Sequence, residues 1–116
     1  MVKIKRVYDN PTASDGIRVL VDRLWPRGVS KSRAAVSLWL KEIAPTGSLR
    51  IWFGHRPERW NTFRSRYQKE LQEPERKVAL EHLRALSRRG TISLIYAAKD
   101  TRHNSAVVLA GMLRRG

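Results

Sequence analysis

The sequence predicts an α/β fold in which a mostly parallel sheet is covered on both sides. Three observations carry this expectation. The runs 17–22 (IRVLVD) and 92–98 (ISLIYAA) are apolar nearly throughout and rich in β-branched side chains, as strands are when both faces are buried. Segments with apolar residues at helical spacing lie between and after these runs. The chain has 116 residues, 41% hydrophobic and 29% charged, which suits one globular domain over 1–116 with a single core.

The elements follow in order. Ile4, Val7 and Tyr8 alternate with Lys3, Lys5 and Arg6 until Asp9-Asn10-Pro11, predicting a first strand. Residues 17–22 form a second, central strand. Beyond Pro26 and Gly28, Ser30 caps a short helical turn through SKSRAA. The segment SLWLKEIAP balances strand against helix before Pro45 and Gly47 end it, and a short third strand is expected. Pro57 and Glu58 open a helix whose inner stripe is Trp60, Phe63, Tyr67 and Leu71. A second helix follows Pro74, with Ala79, Leu83 and Leu86 inward, His82 on its surface and Gly90 as a left-handed stop. Then come the strand at 92–98, the turn KDTRHN and a buried helix, SAVVLAGML.

Composition excludes several function classes. Without cysteine the chain has no disulfide, no thiolate nucleophile and no thiolate-bound metal, which fits a cytoplasmic protein. The three histidines share no short metal-ligand spacing, so neither a metal nor another cofactor is expected. The N-terminal MVKIKRVYDN lacks a signal-peptide core and no stretch is long enough to span a bilayer, so neither export nor a membrane partner is expected. The net charge of +14 invites a polyanion, yet the basic runs are no longer than pairs such as Lys5-Arg6 and Arg88-Arg89. That distribution describes an arginine-rich surface better than a dedicated nucleic-acid arm.

In an open α/β sheet, ligands bind beyond the carboxyl ends of the strands. Two polar turns occupy such positions: Asp22-Arg23-Leu24-Trp25-Pro26-Arg27 and Lys99-Asp100-Thr101-Arg102-His103-Asn104. If their strands are neighbours, the turns meet. Pro26 then stiffens the exit, Trp25 walls the pocket and Gly28 permits the turn. A structural reading stands beside this one: Asp22 pairs with a nearby base, Trp25 anchors the core, and Asp100 or Asn104 caps the last helix. His103 is the best acid-base candidate, with Asp22 or Asp100 orienting it, and His55 is either a second pocket member or a residue near a helix start. No phosphate-cradling glycine loop, dinucleotide fingerprint or nucleophile-elbow serine is present.

The stretches RVLVDRLWPRGVSK, LWLKEIAP, WFGHRPERWNTFRSRY and LIYAAKDTRHNSAVVL resemble the YeaO-like proteins, a bacterial family with a domain of unknown function. The resemblance spans nearly the whole chain and implies a compact three-layer α/β domain with a short sheet flanked by helices. By likeness to longer members of the wider superfamily, Asp22, Arg23, Asp100 and His103 are the positions carried over. Those members tend to have cysteines near the late strand, where this chain has Tyr96 and no cysteine.

Two functions are weighed, beside a third possibility, an interaction or stress-associated accessory protein with a vestigial pocket, which two turns at opposite ends of the molecule would favour. In the first, a pocket lined by Arg23, Arg27, Lys41, Lys99 and His103, with Trp25, His55 and Asn104 as further ligand contacts, binds an anionic small molecule such as a phosphate ester or nucleotide. Acid-base catalysis by His103, Asp22 and Asp100 is its optional extension. In the second, a broad basic surface binds nucleic acid, with Trp25, Trp39 or Trp52 as stacking platforms.

Overall fold

The two apolar runs become adjacent strands at the centre of one sheet. A computed structural model describes residues 1–115. It places β1 at Val2–Arg6, β2 at Ile17–Leu20, β3 at Leu38–Trp39 and β4 at Ile92–Tyr96, in the order β1-β4-β2-β3. All three pairings are parallel; Val19 faces Leu94 and Leu20 faces Ile95 across the central pair. The helices are α1 (Lys31–Ala34), α2 (Gly47–Phe53), α3 (Trp60–Glu70), α4 (Pro74–Arg89) and α5 (Ser105–Arg115). The α/β class is therefore as the sequence predicts.

Side chains alternate across the sheet and feed two unequal cores. Val19, Val21, Ile92, Leu94 and Tyr96 join the larger one, with Phe63, Tyr67 and Leu71 from the α3 segment, Leu83 from α4 and Leu109 from α5. Burying each of these large side chains stabilises the fold by roughly 1.5–3 kcal/mol. Tyr67 is fully buried because its hydroxyl donates to the Ile43 carbonyl at 2.6 Å. The other face is thinner. Leu20 and Ile95 meet Val7, Val29 and Ala34 there, with Trp25 and Trp39 packed against them. That cover comes from α1 and the loops around it, not from a second full layer of long helices.

Several element boundaries differ from expectation. Regular pairing of β1 ends at Arg6 and of β2 at Leu20, although Val7 and Val21 still donate to the Tyr96 and Ile95 carbonyls. The expected strand over 37–45 shortens to two residues and passes into a 3-10 turn at Lys41–Ile43. Helix α2 was not expected; the Thr46 hydroxyl caps it by accepting from the Leu49 amide, and left-handed Gly54 ends it. Pro57 opens a 3-10 turn that leads into α3. Gly90 is not the left-handed stop predicted for α4: at φ 167 it is extended and runs straight into β4. No helix among the described residues is long and apolar enough to cross a membrane.

At the amino ends of the strands lies a polar cluster. Asp15 accepts from Lys5 at 3.0 Å and Arg18 at 2.6 Å, and the Arg18 guanidinium also donates twice to the Ala34 carbonyl. Ser93 donates to the Asp15 carbonyl. Burial alone would raise the Asp15 pKa, but the Thr12 amide, Lys5, the Thr12 hydroxyl and Arg18 outweigh it and hold the carboxyl well below its ordinary range.

Candidate functional site

Because β2 and β4 are parallel neighbours, the turns that leave them emerge side by side. They are joined directly: Asp22 Oδ2 accepts from the Ala97 amide at 2.9 Å, one turn's carboxylate binding the other's backbone. The exit of β2 is further fixed by Trp39, whose Nε1 donates to the Asp22 carbonyl at 2.8 Å. Gly28, at φ +76, takes the left-handed conformation that reverses the chain after Pro26.

Beyond these exits opens a cavity of about 930 Å³. It falls within the range that holds small organic ligands, roughly 300–1,000 Å³. Asp22, Arg23 and Arg27 border it from the first turn, and Lys99, Asp100, His103 and Asn104 from the second. Helix α2 and the loop after it close another side with Arg50, Ile51, Phe53 and His55, while Ala44, Pro45, Phe63 and Tyr96 supply apolar surface. His55 holds a left-handed backbone at φ 57, directly after left-handed Gly54.

Two of the expected pocket residues stand elsewhere. Trp25 does not wall the cavity: its Nε1 donates to the Val29 carbonyl at 2.7 Å and its ring meets Trp39 edge-on at 5.5 Å, within the thinner core. An indole with its one donor satisfied gains more from that apolar contact than from a wet rim. Lys41 is also outside, its ammonium 5.0 Å from the Trp39 ring centre. Sequence reasoning in turn missed Arg50, Ile51 and Phe53, because all three ride on the unexpected α2. The cap Thr46 and the stop Gly54 were the available signals.

The electrostatics divide the site. Asp22 is partly buried, and desolvation raises its carboxyl to about 6 despite the opposing Ala97 bond. Asp100 moves the other way, lowered first by the Arg102 amide and then by the His103 side chain. His103 Nδ1 lies 2.8 Å from Asp100 Oδ2, and its ring sits edge-on to Trp60 at 5.3 Å. Asn104 has a structural task, for its Oδ1 accepts from the Val107 amide and caps α5 while its Nδ2 donates to the Asp100 carbonyl. Asp22 therefore spans the two turns, while Asp100 and His103 pair inside one of them.

The arrangement offers cations and an oriented imidazole but no assembled nucleophile. Among the described residues, His103 has no hydroxyl partner. Nor does any group of three or more His, Asp or Glu side chains among them form a metal-binding set.

Comparison with known proteins places the chain. A family model described as "Inactive DUF488-N3 subclade" matches residues 1–116. The chain is 42% identical over 113 residues to the Escherichia coli (strain K12) protein named "Uncharacterized protein YeaO", a match covering 97% of this chain and 96% of that one. Uncharacterised proteins of Mycobacterium tuberculosis and Mycobacterium bovis are each 42% identical to it over 112 residues, covering 97% of this chain and 92% of theirs. No solved structure matches it. With a model matched along its full length and YeaO aligned over nearly all of it, the chain belongs to the inactive DUF488-N3 subclade, a YeaO-like family.

Proposed function

We propose that the cavity binds a small anion, such as a phosphate ester or a nucleotide, and holds it without turning it over. One observation carries this reading. Arg23, Arg27, Arg50 and Lys99 border a single concavity, and among the described residues none of them pairs with a carboxylate. An anion entering there gains forked hydrogen bonds from arginine and a point charge from lysine. Of the two acids present, Asp100 opposes it weakly, being engaged by His103 and by backbone amides, and Asp22 stands away from the exposed cations, partly buried against the Ala97 amide.

Binding without chemistry fits what surrounds His103. The Asp100–His103 pair resembles the orienting half of an acid-base site, yet among the described residues no hydroxyl is bonded to the imidazole, and the chain has no cysteine. The word "inactive" in the family's description points the same way. The nucleic-acid reading has less support because the tryptophans are already engaged: the Arg59 and Arg66 guanidiniums lie over Trp52, and Lys41 over Trp39. With no cysteine to oxidise, the cytoplasm is the compartment we assign to this activity.

The test is a calorimetric titration of inorganic phosphate into the wild type and the double variant Arg23→Ala/Arg27→Ala. A loss of affinity of about tenfold or more is expected in the variant, as for removal of two charge-assisted contacts. Equal affinity in both proteins would overturn the reading, as would phosphate binding displaced only by single-stranded oligonucleotides.

A further inference from the structure

The cavity is not uniform from mouth to floor. Its cations Arg23, Arg27, Arg50 and Lys99 are all exposed, so the positive charge lies on the rim. The buried lining is mostly of another kind: Phe53 is 6% exposed, Phe63 3% and Ala44 4%, Pro45 is buried with them, and Asn104 is the polar exception, its side chain already bonded within its own turn and helix start. The two phenylalanine rings stack with centroids 4.4 Å apart, giving the interior an aromatic side. The acid set deepest is Asp22, partly buried and, among the described residues, without a cationic side chain bonded to it. A carboxyl there disfavours an anionic group at the inner end, especially once it ionises.

Ile51 adds a second sign. It lines the same cavity yet is 72% exposed, an aliphatic side chain left at the mouth with little of its own chain to cover it. Apolar surface within, a cationic rim and an uncovered isoleucine between them match a molecule that is itself divided.

We infer that the cavity selects an aromatic monoester anion, its ring seated against the Phe53–Phe63 side and its charged group held at the arginine rim, over a bare anion of the same charge. The inference rests on reading the cavity as an anion site and names the class of molecule that site takes. Ring burial supplies affinity that a bare phosphate lacks, and the rim arginines supply what an uncharged ring lacks.

Three probes separate these contributions: phenyl phosphate, inorganic phosphate and phenol, titrated into the wild type and Ile51→Ser at about 150 mM salt, where long-range charge effects are damped. Phenyl phosphate is expected to bind at least about tenfold tighter than either of the others. Ile51→Ser, a substitution at an exposed position, is expected to narrow the advantage over phosphate about threefold, with its fold checked by circular dichroism. Phosphate and phenyl phosphate binding equally would overturn the aromatic selection while leaving the anion site standing, whereas an undiminished advantage in Ile51→Ser would remove Ile51 from the ring's contacts and support seating on the phenylalanine side alone. Phenol binding as tightly as phenyl phosphate, or no binding by any probe, would overturn both.

Discussion

The two ends of the sheet hold similar charged side chains in opposite arrangements. At the amino ends, Asp15 is 3% and Arg18 4% exposed, and with Lys5 they satisfy one another and nearby carbonyls. At the carboxyl ends, four cations border a cavity and, among the described residues, none of them meets a carboxylate. The first pattern is what folding requires, since a buried charge without a partner costs several kcal/mol. The second is not required by burial, since all four of these cations are exposed to solvent. Cations kept around a concavity, without partners of their own, are what a ligand site needs.

The contrast breaks most visibly at the amino ends. Asp15→Ala leaves Arg18 buried without its carboxylate, and a loss of about 3–5 kcal/mol is expected in urea unfolding. The pH dependence follows the same carboxyl. Its folded pKa lies below the ordinary value near 4, so its contribution is present above that value and is lost as pH falls beneath it. The wild type should therefore lose stability steeply in acid, and Asp15→Ala less so. Gly16 holds φ +65, and a Cβ there would meet the Thr91 carbonyl oxygen at 2.1 Å. Gly16→Ala is expected to cost about 2–3 kcal/mol, read from the shift in the thermal midpoint.

Smaller effects, one of them of the opposite sign, sharpen the comparison at the carboxyl ends. The folded pKa of Asp22 is raised to about 6, so its contribution to stability is full below its ordinary value near 4 and is lost as pH rises to about 6. Asp22→Asn keeps an acceptor for the Ala97 amide and removes the charge. It is expected to gain roughly 1–2 kcal/mol at pH 7, less than the whole shift because solvent reaches the group in part. Urea unfolding at several pH values would show the wild-type decline between 4 and 6 disappearing in this variant. Asn104→Ala removes the cap of α5, with an expected loss of about 1 kcal/mol. Arg23→Ala should change stability by less than about 0.5 kcal/mol while weakening phosphate binding, the reverse of what Asp15→Ala does.

Much of this architecture was legible because burial writes itself into composition. IRVLVD and ISLIYAA are apolar on both faces, so both had to be interior strands, and parallel interior neighbours release their turns at the same end. That brought Arg23 and His103 to one cavity from positions 80 residues apart in the chain, by difference of their numbers. Helix α2 was hidden because Pro45 and Gly47 look like a loop and seven residues are too few to show a period. Trp25 was placed on the wrong side because an aromatic residue in a turn reads alike whether it faces a cavity or a core. The amino-terminal cluster had one signal that went unused: Arg18 inside an otherwise apolar strand demands a buried acid, and Asp15 stands three residues before it.

The claim that only the carboxyl ends of the strands form a ligand site is tested most directly by amide chemical shifts during a titration with phenyl phosphate. Saturable shifts are expected in residues 22–28, 50–55 and 97–105, with those of 15–18 and 91–93 unmoved. Shifts centred on 15–18 and 91–93, or spread evenly over the basic surface without saturation, would contradict it.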